Sequence, residues 1–221
     1  MIRVLLVDDH RLIRAGLRGI LDQHREITVV AEAGTGEEAL QLMNRLLPDV
    51  VLMDLSMPGR GGLDTTRRIV RQHPGVGVIA LSVHSDELYP TRVLEAGARG
   101  YLTKDCEADE IIAAVQRVHA GEHHIESRIA RRLAMARVDG RDTAFEGLSE
   151  RETQVMQMVT SGHSIQTIAD QLCLSPKTVN TYRYRLFQKL GVNNDVELTR
   201  LAMRHGILDE GAPSPPHGAG E

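Results

Sequence analysis

The first 120 residues alternate two kinds of segment, and that alternation narrows the fold more than any other feature of the chain. Five short apolar runs, Ile2–Val7, Thr28–Ala31, Val50–Met53, Val76–Leu81 and Gly100–Leu102, are mostly β-branched and lack a polar/apolar period. Runs of that kind are strands buried on both faces. Helical patterns over 10–23, 36–46, 62–72, 86–96 and 107–120 separate and follow them. Five βα units in succession predict an α/β fold, a doubly wound five-stranded parallel sheet with helices on both sides. With 3% aromatic residues and no Trp, its core has to be aliphatic. Gly34-Thr35-Gly36 ahead of Glu37 reads as a turn and helix start rather than a phosphate loop.

The pattern breaks after residue 120. Residues 121–147 read as a linker, helical in part over the Arg-rich stretch Ser127–Arg137 and polar from Val138 to Asp142. Residues 148–208 read as a small all-α domain. Ser149 with Glu152 forms a capping box, Ser164–Leu172 is a short helix, and Ser175-Pro176 opens a longer one that stops at Gly191. Asn194 caps a last helix that ends near His205. The tail 209–221, rich in Pro, Gly and acids without Lys or Arg, reads as disordered.

Composition excludes several classes. The 221 residues carry a net charge of −4, so the chain is not basic throughout. Cys106 and Cys173 stand far apart and make no disulfide framework, which suits a reducing cytosol. No stretch approaches the ~18 apolar residues of a membrane span, and the N-terminal run is too short for a secretory signal. A cytoplasmic protein with no membrane partner is expected. Charge is uneven: residues 148–208 hold seven Lys and Arg against five acids, a balance of +2 that leaves the remainder at −6. An acidic α/β domain joined to a mildly basic helical one suggests a regulatory module on a polyanion binder.

Strand one ends in Asp8-Asp9 and strand three in Asp54. Ligands of open parallel sheets bind beyond the carboxyl ends of the strands, where these acids converge. A strand-end Asp taken alone is commonly a helix N-cap. Three together repel one another and call for a proton or a cation, and a small set of hard oxygens suits Mg²⁺. Strand four ends in Ser82, a hydroxyl donor, and strand five leads to Lys104, a charge able to neutralise a phosphoryl oxygen.

Val7-Asp8-Asp9-His10, Met53-Asp54-Leu55-Ser56-Met57-Pro58-Gly59, Leu81-Ser82 and Tyr101-Leu102-Thr103-Lys104 resemble the receiver domain of two-component response regulators, a flavodoxin-like fold. The resemblance implies that Asp54 accepts a phosphoryl group from a sensor histidine kinase, and that Asp8, Asp9, Asp54 and the Ser56 carbonyl hold Mg²⁺. It also implies that Ser82 binds the phosphoryl group and that Tyr101 moves with it. Ser stands at 82 where Thr is commoner in the family, and the hydroxyl is kept. The implied chemistry is phosphoryl transfer of the protein to itself, not turnover. Two rivals remain at this point: a constitutive DNA binder with a passive receiver, and a Mg²⁺-dependent phosphohydrolase. Ser56, in place of a second acid, counts against the latter.

Helices 164–172 and 175–190 have helix-turn-helix spacing. In the second, Val179, Tyr182, Leu186 and Leu190 share one face, and Lys177, Thr181, Tyr184 and Gln188 share the opposite one. Leu148-Ser-Glu-Arg-Glu, Ile168-Ala, Leu174-Ser-Pro-Lys-Thr-Val-Asn-Thr-Tyr and Lys189-Leu-Gly-Val resemble the LuxR/FixJ (NarL) family, closest to its GacA/UvrY type. Regulators of that type pair with a hybrid sensor kinase and activate genes for small regulatory RNAs. By position, Asn180, Thr181 and Tyr184 are candidates for base edges or nearby sugar-phosphate. Lys177, Thr178, Arg185 and Lys189 are candidates for phosphates of double-stranded DNA. The modest +2 favours a homodimer, at least in the phosphorylated form, with the last helix, Asn194–Arg204, as a candidate dimer face.

Overall fold

The computed structural model describes residues 1–57, 61–82, 88–139, 145 and 147–205. The sequence expectations for Pro58, Gly59 and the tail 209–221 lie outside these residues. The chain divides into two compact units, Met1–Ala134 and Met135–Glu221.

The first unit is built on β1 (Ile2–Val7), β2 (Ile27–Ala33), β3 (Val50–Asp54), β4 (Gly77–Ser82), β5 (Gly100–Thr103) and β6 (His124–Ile125). All pairings are parallel, in the order β2-β1-β3-β4-β5-β6. The helices are α1 (Arg11–Leu21), α2 (Gly36–Leu46), α3 (Gly62–Gln72), α4 (Leu88–Glu95) and α5 (Ala108–His119). Period-two alternation sends successive side chains to opposite faces. Val4, Leu6, Leu52, Ile79, Leu81 and Leu102 join Leu17 and Leu21 of α1 and Ile111, Ile112 and Val115 of α5. Leu5, Val7, Val51, Met53, Val78, Ala80 and Tyr101 join Ala39 and Met43 of α2, Leu63 and Ile69 of α3 and Val93 of α4. Two apolar layers on one sheet are why β3 and β4 are buried throughout and read as continuous apolar runs.

The sheet has six strands, not five. β6 is two residues long, too short for periodicity to reveal, and is set by pairing: Gly100 and Tyr101 lie against His124 and Ile125. The stretch expected as linker is correspondingly divided. After β6, α6 (Ser127–Asp139) contributes Ile129 to the core beside Tyr101. Glu126 fixes this segment by accepting the Thr103 N–H (3.0 Å) and the Thr103 hydroxyl (2.6 Å), and Arg128 donates to Glu126 and Asp105. His124, 8% exposed at its side chain, sits 2.7 Å from Glu110.

The second unit contains α7 (Glu150–Thr160), α8 (Ile165–Leu172), α9 (Pro176–Leu190) and α10 (Asp195–Arg204). Ser149, Ser164, Ser175 and Asn194 each accept a backbone N–H in the first turn of the helix they precede. Each such cap satisfies one of the helix's free donors and stabilises it by about 1 kcal/mol. Gly191 ends α9 at φ 66°, a left-handed turn that glycine adopts without a Cβ penalty. Val155, Met156, Ile168, Ala169, Val179, Leu186, Leu198 and Ala202 form the interior. No helix among the described residues is long and apolar enough to cross a membrane.

Candidate phosphoacceptor pocket and DNA-reading helix

β1 lies between β2 and β3, so the strand order reverses beside it, and ligands of such sheets bind at the carboxyl ends of the strands there. Val7 pairs with Met53, which brings Asp8 and Asp54 side by side one residue further on. The two carboxylates are wholly buried, and Asp9 beside them is partly exposed. Lys104, carried from β5, crosses to them: its Nζ lies 2.7 Å from Asp8 Oδ2 and 3.0 Å from Asp54 Oδ2. Only the first contact has hydrogen-bond direction; Asp54 Oδ2 has charge contact with the ammonium but no directed donor. Asp54 Oδ1 accepts the Ser56 N–H at 3.0 Å. Arg14 of α1 donates to the Asp8 carbonyl and also pairs with Glu32.

Burial holds the Asp54 carboxyl above its ordinary range, and Asp8 adds to that, while Lys104 and the Ser56 N–H work the other way. A carboxylate under that strain gains from further positive charge. The oxygens of Asp8, Asp9 and Asp54 and a ring nitrogen of His10 all lie within 4.8 Å of one another. Asp54 Oδ2 and Asp9 Oδ1 are buried atoms without hydrogen-bond donors. Hard, under-satisfied carboxylate oxygens converging on one space fit a divalent cation.

The other predicted pocket residues fall around this centre. Ser82 is wholly buried at the end of β4, and Lys104 N–H donates to its carbonyl (2.7 Å). Ser56 is exposed and enters the site through its backbone N–H. Tyr101 is wholly buried on the sheet face toward α4, and its carbonyl accepts the Glu126 N–H at 3.1 Å. Gly62 explains how α3 starts: a Cβ there would lie 2.0 Å from the Asp54 carbonyl oxygen. Sequence reasoning passed over Gly62, Arg14 and Glu126, and took His10 only as part of the acid-pair motif. His10 carried a signal, since it directly follows the acid pair. The others depend on contacts between segments distant in the chain. Cys106 has its thiol pushed up to about 11 by burial and by Glu126, Glu110 and Asp105, so it stays protonated at neutral pH.

In the second unit, α8 and α9 are joined through Cys173, left-handed at φ 53°, and the Ser175 cap. Lys177, Asn180, Thr181, Tyr184 and Arg185 are exposed on α9. Thr178 is half-buried, with its hydroxyl 2.8 Å from that of Ser175. Tyr184, 63% exposed, accepts a hydrogen bond from Gln188. Lys189 is exposed on the same helix and is also bonded within the unit. Its Nζ donates to Glu152 Oε2 (2.6 Å) and to the Gly147 carbonyl (2.9 Å), which fastens α9 to the capping box of α7. Sequence spacing within α9 cannot show a partner 37 residues away.

Residues 4–116 match the response regulator receiver domain, and residues 146–202 match the bacterial regulatory proteins of the luxR family. The chain is 47% identical over 211 residues to the response regulator GacA of Pseudomonas aeruginosa, covering 95% of this chain and 99% of GacA. It is 49% identical to the response regulator UvrY of Escherichia coli, covering 95% and 97%. Among solved structures, two RcsB dimers bound to two parallel DNAs match with a TM-score of 0.58 at 25% identity, covering 91% of this chain and 98% of that one. A receiver domain over half the chain, a LuxR-type helix-turn-helix domain over residues 146–202 and near-complete alignment to GacA and UvrY make the chain a two-component response regulator of the LuxR family, a regulator of transcription.

Proposed function

We propose that the pocket carries out phosphoryl transfer onto Asp54 and that this transfer gates DNA binding by α9. The observation that carries the reading is the buried Asp54 carboxylate, with one oxygen lacking a directed donor, held beside Asp8 and Lys104 at the switch point of the sheet. A carboxylate placed this way is a competent nucleophile when positive charge spreads the load of a loose transition state. Lys104 neutralises a phosphoryl oxygen and the Ser56 N–H fixes the other Asp54 oxygen in line. Asp8, Asp9 and Asp54, with the Ser56 carbonyl, would hold Mg²⁺, which supplies Lewis-acid charge at the phosphoryl group when bound. The donor is a sensor histidine kinase, and the protein is modified once rather than turning over substrate.

Ser82 supplies the hydroxyl that senses the phosphoryl group. Tyr101 packs beside Val93 and Ile129 and pairs with β6, so its repacking biases α4 and the segment leading into α6. Lys177, Asn180, Thr181, Tyr184 and Arg185 form the DNA-reading set, with Thr178 at the N-terminal cap. Lys189 is withdrawn from that set. RcsB binds DNA as dimers; for this chain a homodimer reading two half-sites doubles a modest positive charge. On α10, exposed Val196 and Met203 offer an apolar dimer face. Likeness to GacA and UvrY points to small regulatory RNA genes as targets and to a hybrid kinase as donor, in the cytoplasm. The test measures DNA affinity and molecular mass with Mg²⁺, with and without a small phosphodonor, for wild type and Asp54→Asn. Tighter binding or dimerisation with donor in wild type alone supports the reading. A wild type that is phosphorylated on Asp54 with no change in either quantity refutes the gating.

A further inference from the structure

Glu126 stands where the sheet ends and α6 begins, and it belongs to both. The parallel ladder between β5 and β6 runs in two-residue steps. The Arg99 carbonyl accepts the His124 N–H at 2.9 Å, and the Tyr101 carbonyl accepts the Glu126 N–H at 3.1 Å. Continued by one step, the Thr103 N–H would meet the Glu126 carbonyl. That carbonyl has turned away and accepts the Ala130 N–H at 2.9 Å, the first bond of α6. The Glu126 carboxylate takes its place in the ladder: Oε2 accepts the Thr103 N–H at 3.0 Å and the Thr103 hydroxyl at 2.6 Å. The second distance is that of a charge-assisted bond between hydroxyl and carboxylate. Oε1 accepts from Arg128 Nε, in the first turn of α6, at 3.2 Å. The Glu126 side chain is 14% exposed and Thr103 is buried, so this clasp is largely shielded from solvent.

Thr103 directly precedes Lys104, whose ammonium contacts Asp8 and Asp54. We propose that the Thr103–Glu126 clasp carries the state of the pocket into α6, by a route separate from Ser82 and Tyr101. The inference rests on the reading that a phosphoryl group on Asp54 gates DNA binding. Such a group adds negative charge within reach of Lys104, and a shift of Lys104 toward it draws on Thr103. Thr103 has no slack to absorb the shift. Its N–H and hydroxyl are on Glu126, and its carbonyl accepts the Cys106 N–H at 3.1 Å. The displacement passes instead to Glu126, whose carbonyl opens α6, and α6 runs in chain order toward the helix-turn-helix unit. The pocket does not need the clasp to assemble. Lys104 is held from its own side by Asp8, Asp54 and the Ser82 carbonyl, which accepts its N–H at 2.7 Å. Loss of the clasp therefore spares phosphorylation and weakens its effect on DNA binding.

The test uses the full chain with Mg²⁺ and acetyl phosphate, and a DNA duplex selected from random sequence on the phosphorylated wild type. Intact mass reads labelling of Asp54, and duplex titrations with and without donor read the tightening that phosphorylation causes. Thr103→Val removes the hydroxyl at nearly the same volume, Glu126→Ala removes the carboxylate, and Glu126→Gln keeps an acceptor oxygen for Thr103. All three are expected to label as wild type does. The tightening, about 5–150-fold for coupled sites, should shrink about fivefold in Thr103→Val and in Glu126→Ala and return in Glu126→Gln. The double variant Thr103→Val with Glu126→Ala should lose no more than either alone, because both remove one contact. Should Glu126→Ala not fold, Thr103→Val with Glu126→Gln decides the matter. Full tightening in Thr103→Val and Glu126→Ala overturns the inference and leaves the gating standing. Loss of labelling in those variants also overturns it, since the clasp would then serve the chemistry of the pocket. A wild type that labels without tightening on DNA overturns both readings.

Discussion

Lys189 separates a DNA contact from a structural staple, and Lys189→Ala tests which it is. The lysine looks like one more cation on a recognition helix, but its ammonium bonds a glutamate whose side chain is 3% exposed. A charge-assisted hydrogen bond of this kind contributes roughly 1.5–3 kcal/mol when buried. The Lys189 side chain is 43% exposed, and solvent screening reduces this to about 1 kcal/mol. Glu152 keeps its bond from the Ser149 N–H at 2.7 Å, so the variant does not strand a bare charge. For a helical unit of this size, a loss of about 1 kcal/mol lowers the melting midpoint by about 4–8 °C. Burial acts to raise the Glu152 pKa, but hydrogen bonds from Lys189 and Ser149 outweigh it and hold the carboxyl below its usual value of 4.5. Stability from a depressed carboxyl is present above that value and lost as pH falls through the folded pKa. The acid side of the wild-type unfolding profile should therefore be steeper than that of Lys189→Ala. Circular dichroism melts across pH measure this, with Lys177→Ala as the exposed comparison. In DNA titrations against salt, Lys177→Ala should flatten the slope by about one unit per protomer and Lys189→Ala should not. An unchanged melt for Lys189→Ala together with a flattened slope would refute the staple.

Four further outcomes follow from particular contacts. Lys104→Gln removes the charge shared by Asp8 and Asp54 and should abolish labelling by a phosphodonor, read by intact mass. Asp54→Asn should raise the melting midpoint of the first unit at neutral pH. A carboxyl with a raised folded pKa destabilises the fold as pH rises through that pKa, so the gain should shrink toward acid pH. Gly62→Ala would force a Cβ against the Asp54 carbonyl and should cost both stability, about 1–3 kcal/mol, and phosphoacceptor activity. Arg183→Ala breaks the paired bonds from α9 to Asp195 (2.6 and 2.5 Å) and the stacking on Phe187, and should lower the stability of the helical unit by about 1 kcal/mol, read by its thermal melt, without changing the DNA salt slope.

Local chemistry accounts for what the sequence by itself determined. The apolar runs that became β1, β3 and β4 were legible because a strand covered on both faces needs no polar residue. The caps at Ser149, Ser164, Ser175 and Asn194 were legible because each helix start is satisfied within three residues of chain. The acids of the pocket could be placed together because parallel strands all deliver their carboxyl ends to one edge. Tertiary structure decided the rest, where a residue's role depends on a partner distant in the chain. β6 exists only because Gly100 and Tyr101 offer it an edge. Gly62 is required only because the Asp54 carbonyl passes within reach of a Cβ. Lys189 meets Glu152 only because the fold brings the two together, and His10 lies against the acid pair because its ring turns back rather than capping α1. Hydrophobic periodicity records which face of a segment is buried; it holds no record of which distant charge, carbonyl or lone pair that face will meet.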